Sequence, residues 1–142
     1  MVGGHPPLAQ DGVVFHGVLR LDVPEQSARL SELFANATCF IMPSLSEASA
    51  IAYVEAAAAG LPSIGSSAGG SAYLIGDGGI IVNPTDECAL VDAMRQLADP
   101  ETASRVGTAA RQRSELFTWP KVAKRLLDAL DGKTASAGDA LI

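Results

Sequence analysis

Aromatic side chains are scarce in this chain, 5% of 142 residues, and basic ones are outnumbered: ten Lys and Arg against sixteen Asp and Glu leave a formal charge of −6. Gripping a phosphate backbone by charge needs the opposite balance, so nucleic-acid binding is set aside. Cysteine is scarcer still. Cys39 and Cys88 stand apart with no CxxC or CxxH spacing, which excludes a disulfide scaffold and gives no support to a zinc site. No window approaches the roughly 20 uninterrupted apolar residues of a membrane span. The opening residues 1–10 lack both a charged n-region and an apolar h-region. The expectation is a cytoplasmic protein without a membrane span. What the chain does have is apolar mass, at 48% of residues, enough to bury a core in one domain of ordinary size.

Turn residues divide that mass into short runs. Val13-Val14-Phe15, closed by His16-Gly17, is β-branched and short, and predicts a buried strand. Pro24 suits a first helical turn, and Leu30, Leu33 and Phe34 recur at helical spacing as far as Ala37. Residues 38–42 predict a second strand, ended by Pro43-Ser44. An alanine-rich helix is expected from Ala48 to Ala59, with Gly60 and Pro62 as its stop. Ser63-Ile64-Gly65 and Gly79-Ile80-Ile81-Val82 read as further strands, separated by the small-residue turn 66–70.

Beyond Asn83-Pro84 the pattern becomes helical. Thr85 is expected to cap a helix carrying Leu90, Val91, Met94 and Leu97. A polar helix follows from Pro100 to Leu116. Thr118 is expected to cap a last helix with Val122, Leu126, Leu127 and Leu130 on one face and Trp119 anchoring it by packing. Residues 132–142 read as a flexible tail, and 1–131 as one domain. Short apolar strands alternating with helices predict an α/β, Rossmann-like three-layer sandwich with a mainly parallel sheet.

Ligands of such sheets gather at the carboxyl ends of the strands, near helix N-termini. Residues 43–50 form such a turn. Small residues there would let a phosphate approach helix N–H groups that have no internal partner. Glu47 stands at its mouth and Glu55 follows eight residues later, about two helical turns. Carboxylates accept hydrogen bonds in two directions, which matches vicinal sugar hydroxyls.

The run Pro43-Ser44-x-x-Glu47-x7-Glu55-Ala56-x-Ala58-x-Gly60-x-Pro62 resembles the E-x7-E signature of retaining glycosyltransferases of the GT-B fold, family 4 above all. Four more segments are similar to that family in its own order: Phe15-His16-Gly17 (F-x-G), Ala68-Gly69-Gly70, residues 79–84 (G-x-L-V-x-P) and Phe117-Thr118-Trp119 (F-[ST]-W). The resemblance implies half of a GT-B fold that binds a nucleotide-diphosphate-sugar, UDP- or GDP-linked, and transfers its hexosyl group with retention and without a metal. By the same resemblance Glu47 contacts hydroxyls of the transferred sugar and is the catalytic carboxylate. Glu55 binds the ribose, the backbone of Ser49, Ala50 and Ile51 meets the diphosphate, and His16, Gly17 and Val18 border the base.

There are departures. Ala48-Ser49-Ala50 replaces the family's G-F-G, and Met1-Val2-Gly3-Gly4 is similar to a strand the family writes V-G-x-G. The chain is therefore expected to be a C-terminal, donor-binding part that lacks the acceptor domain and the first strand and helix of the donor domain. The family's Arg and Lys that clamp the diphosphate fall in that stretch, which leaves Arg20 as the nearest basic residue. A partner chain carrying the acceptor domain, or a second copy of this chain, is the expected company. Plainer readings stand beside these. Glu47 can serve only the helix dipole, Glu55 can lie on a solvated face, and His16 can simply end a strand. A non-catalytic nucleotide-sugar-binding or partner-docking module is the competing function. The related sugar epimerases fit less well, because E-x7-E and F-T-W favour the transferases.

Overall fold

The computed structural model describes residues 1–4, 10–47 and 50–133. It divides into two compact units, Met1–Ala37 and Thr38–Ile142.

The first unit holds helix α1, Pro24–Asn36, with proline in its opening turn. The strand predicted at Val13–Phe15 is not formed. The Met1 amino group donates to the Val14 carbonyl at 2.5 Å, and the His16 N–H to Met1 and the Gly3 N–H to Gly17, each at 2.8 Å. These bonds run the two segments side by side without a continuous ladder. Val14 is 64% exposed and Val13 and Phe15 are only half-buried, so the run lacks the two fully covered faces that a buried strand requires.

The second unit is built on three parallel strands in the order β1 (Phe40–Met42), β2 (Ser63–Ser66), β3 (Gly79–Val82). Register sets Ile41 beside Ile64 and Ile64 beside Ile80. All four residues of β2 are buried, as befits a strand covered on both faces. On one face Ile64 and Val82 pack with Ala93 and Leu97 of α4, Glu87–Ala98. On the other, Tyr53 of α2 (Ile51–Ala58) and Ile75 of α3 (Ser71–Ile75) pack with Phe40, Met42 and Ile81. Helix, sheet, helix: the predicted α/β sandwich is the observed one.

Helix α2 ends as its sequence foretells. Gly60 takes φ +82°, a conformation costly for any residue with a Cβ, and donates to Ala57, while Leu61 donates to Ala56. This closing turn meets α5, Pro100–Ser114, at Gly107, where a Cβ would lie 2.2 Å from the Gly60 carbonyl oxygen.

Two helix starts differ from expectation. Asp86, not Thr85, caps α4, its carboxylate accepting the Ala89 N–H at 2.9 Å. Thr85 instead lies one residue outside the helix, where its N–H and its hydroxyl both donate to the Asn83 side chain, at 3.1 and 2.9 Å. Thr118 does precede α6, Trp119–Leu130, but makes no side-chain cap. Trp119 is no anchor either. It is 80% exposed, and Leu127 and Leu130 are 62% and 84% exposed, because α6 rests mainly on the turn Glu115–Phe117. Most of the predicted tail, residues 134–142, lies outside the described residues. No helix among the described residues is long and apolar enough to cross a membrane.

Replacing a helical glycine by alanine ordinarily gains about 1 kcal/mol. At Gly107 the clash with Gly60 wins, so Gly107→Ala is expected to lose about 1–3 kcal/mol in urea unfolding. Asp86→Ala is expected to cost about 1 kcal/mol by the same measurement, and Thr85→Ala clearly less.

Candidate functional site

Strand β1 stops at Met42 because Pro43 has no N–H to extend the ladder. The Ser44 N–H folds back onto the Met42 carbonyl at 2.9 Å, and the chain turns through Glu47 toward α2. That helix begins at Ile51, with Ala50 in the capping position at φ −81°, ψ 91°. Alanine has no side-chain oxygen, so the first N–H groups of α2 are left without a side-chain cap. The helix expected from Ala48 thus starts later among the described residues. Ala48 and Ser49, the latter expected to meet a diphosphate, lie outside them.

One buried side chain fixes this helix start. Tyr53 is 1% exposed and its hydroxyl donates to the Met42 carbonyl, tying the opening turn of α2 to the end of β1. Its ring meets Phe40 edge-on at 5.5 Å. Burial pushes the phenol's pKa up, so the group stays a neutral donor across the physiological range. The turn is also held from the side. Beyond β2, the Ser67 N–H donates to Val82 at 2.8 Å, the Ala68 N–H to the Ser66 hydroxyl at 2.9 Å, and the Gly70 N–H to the Glu47 carbonyl at 3.2 Å.

The second unit therefore gathers Glu47, Ala50, Ile51 and Glu55 around the carboxyl end of β1 and along α2. Glu47 is half-buried and Glu55 exposed. Neither carboxylate takes part in the ion pairs among the described residues. An exposed Glu55 carries no desolvation cost, so its burial does not decide between a solvated face and a ligand contact. His16, Gly17 and Val18 lie in the first unit, as does Arg20, whose guanidinium pairs with Asp22 at 2.6 and 3.0 Å. That ion pair raises the Arg20 pKa and lowers that of Asp22.

Two supporting residues carry no motif and were passed over by sequence reasoning. A single aromatic residue inside an alanine-rich helix, Tyr53, was the available signal. Arg113 of α5 had none. Its guanidinium donates to the carbonyls of Tyr73 and Leu74 at the end of α3, and lies 5.4 and 5.8 Å from the Tyr73 and Phe117 ring centres.

Comparison with known proteins adds the context. The family described as "Glycosyl transferases group 1" matches residues 1–99. A D-inositol 3-phosphate glycosyltransferase of Streptomyces avermitilis is 33% identical over 114 residues, 78% of this chain and 25% of the relative. A sulfoquinovosyl transferase of Arabidopsis thaliana is 36% identical over 112 residues, 75% of this chain and 21% of the relative. Among solved structures, sucrose-phosphate synthase from Thermosynechococcus elongatus matches with a TM-score of 0.72 and 30% identity, over 86% of this chain and 30% of that one. The chain thus spans about a quarter of the length of the curated relatives it matches.

Tyr53→Phe removes one hydroxyl and leaves the Met42 carbonyl without this donor. The expected cost is about 1–3 kcal/mol in thermal or urea unfolding, with the fold retained by circular dichroism.

Proposed function

The chain belongs to the glycosyl transferases group 1 family, and on that premise we propose that it is the donor-binding half of a retaining glycosyltransferase, which moves a hexosyl group from a UDP- or GDP-sugar to a glycan, lipid or small-molecule acceptor. Its fold is the parallel α/β arrangement of the GT-B glycosyltransferases, as in sucrose-phosphate synthase. The observation that carries the proposal is the β1–turn–α2 unit. It sets Glu47 before, and Glu55 eight residues later on, a helix whose opening N–H groups have no side-chain cap.

In this reading the backbone around Ser49, Ala50 and Ile51 receives the diphosphate, since a helix start without a side-chain cap and the positive helix end favour an anion. The same groups stabilise charge that grows on the diphosphate as the glycosidic bond breaks. Glu55 accepts from the ribose hydroxyls and Glu47 from hydroxyls of the sugar being transferred. His16, Gly17 and Val18 border the base. No metal is assigned a role. The acceptor is bound by a part of the enzyme other than the residues described, and the site of action is the cytoplasm.

A second reading rests on Arg20. Its guanidinium, the nearest basic group by sequence, is committed to Asp22, which leaves the diphosphate without a cationic clamp from this residue. A module that binds a nucleotide-sugar without transferring it fits that pairing.

A thermal-shift panel of UDP, GDP and ADP with their hexose conjugates tests both readings. Ligand at a hundred times Kd stabilises by about 2.7 kcal/mol, so even weak sites register at millimolar concentration. One nucleotide is expected to shift the transition, and Glu55→Ala to abolish that shift. Glu47→Ala is expected to reduce the advantage of the nucleotide-sugar over the bare nucleotide. No shift with any of these ligands would overturn the donor-site assignment. Binding without sugar transfer, even with an acceptor domain supplied, would select the second reading.

A further inference from the structure

The loop between β2 and α3 is placed against the backbone of one residue of the donor site. Ser66, Ser67 and Ala68 are held by bonds to the strands or within the loop, and the chain then passes Gly69 at φ +79°. An alanine Cβ at that position would lie 1.9 Å from the Glu47 carbonyl oxygen and 2.9 Å from its carbonyl carbon. Only a residue without a side chain lets the loop approach so closely. The approach allows the Gly70 N–H to reach the Glu47 carbonyl at 3.2 Å. Glu47 precedes α2 rather than lying within it, so no helical hydrogen bond of its own holds its backbone in place. The loop supplies that restraint.

We propose that Gly69 is a positioning residue for Glu47: the missing side chain at 69 lets the 67–70 loop fix the Glu47 backbone and thereby aim its carboxylate at the donor sugar. The inference rests on the donor-site reading above. It separates two functions within one pocket, since Glu55 sits within α2 and does not depend on this loop.

The test uses Gly69→Ala, Gly69→Asn, Glu47→Ala and the double variant Gly69→Asn/Glu47→Ala in the full chain. Asparagine tolerates the left-handed backbone, yet carries the same Cβ, so it distinguishes lost contact from backbone strain. The first readout needs no ligand. Amide exchange at Gly70 is expected to speed roughly tenfold or more in both Gly69 variants, while that at Ala68, bonded to Ser66, stays as in the parent. The second readout is calorimetry with the nucleotide and nucleotide-hexose that bind the parent.

Affinity for the nucleotide-hexose is expected to fall roughly tenfold in Gly69→Asn, the scale of one hydrogen bond to a charged group, with bare nucleotide within about twofold. Adding Gly69→Asn to Glu47→Ala is expected to cost nothing further. Unchanged exchange at Gly70, parent behaviour in Gly69→Asn, or equal losses for nucleotide and nucleotide-hexose would each overturn the role of Gly69 while leaving the donor site standing. If the parent binds no nucleotide-sugar, the donor-site reading fails, and this role with it, whatever the exchange shows.

Discussion

Close packing around strand β2 is the constraint on which the second unit depends. The strand is buried on both faces, yet only Ile64 among its residues is large. Gly65 leaves the space that Tyr53 and Ile75 occupy, for a Cβ there would lie 2.2 Å from Ile75 and 3.2 Å from the Tyr53 hydroxyl. Because α2 can settle that close to the sheet, the Tyr53 hydroxyl reaches the Met42 carbonyl and ties the end of β1 to the opening turn of α2 in one corner. The turn that bears Glu47 hangs from that corner.

In the proposed donor-binding reading, this corner is where an acidic protein would receive an anion. Net charge of −6 opposes a diphosphate at long range, but salt screens that repulsion beyond about 10 Å. At contact distance, N–H groups at the start of α2 without a side-chain cap, together with the helix dipole, would act directly on a bound diphosphate. An alanine in the capping position is a poor choice for helix stability and a good one for leaving those donors available. A second layer of support lies farther out. Arg113 binds the carbonyls of Tyr73 and Leu74 in α3 and lies against the edge-to-face pair of Tyr73 and Phe117, which steadies the helix that follows the Gly69-Gly70 loop.

Most of the sheet and its helices were legible in the residue pattern because their signals are local. Gly79–Val82 is a short apolar run between turn residues, and Gly60 with Pro62 ends an alanine-rich helix. The failures have local causes of another kind. Val13–Phe15 has strand composition but lacks covered faces, and burial is not written in three residues. Thr85 has the chemistry of a cap, and so has Asp86. The helix starts at Glu87, which puts Asp86 in the capping position and leaves Thr85 bonded to the Asn83 side chain. Trp119 has the bulk of an anchor, yet α6 offers it no surface in the described residues beyond one short turn.

Sequence alone was sufficient for the α/β class, the parallel order of strands and helices, and the family, because period, punctuation and the E-x7-E spacing are one-dimensional quantities. It placed Glu47 and Glu55 at either end of a turn and helix for the same reason. It carried no sign that the Gly70 N–H meets the Glu47 carbonyl, that Tyr53 binds Met42, or that Arg113 grips α3 from forty residues away. Those contacts exist only once β1, β2 and their helices have packed, since each joins groups that spacing along the chain does not bring together. The carboxylates are a property of the chain; the contacts that meet the backbone of one of them are a property of the packing.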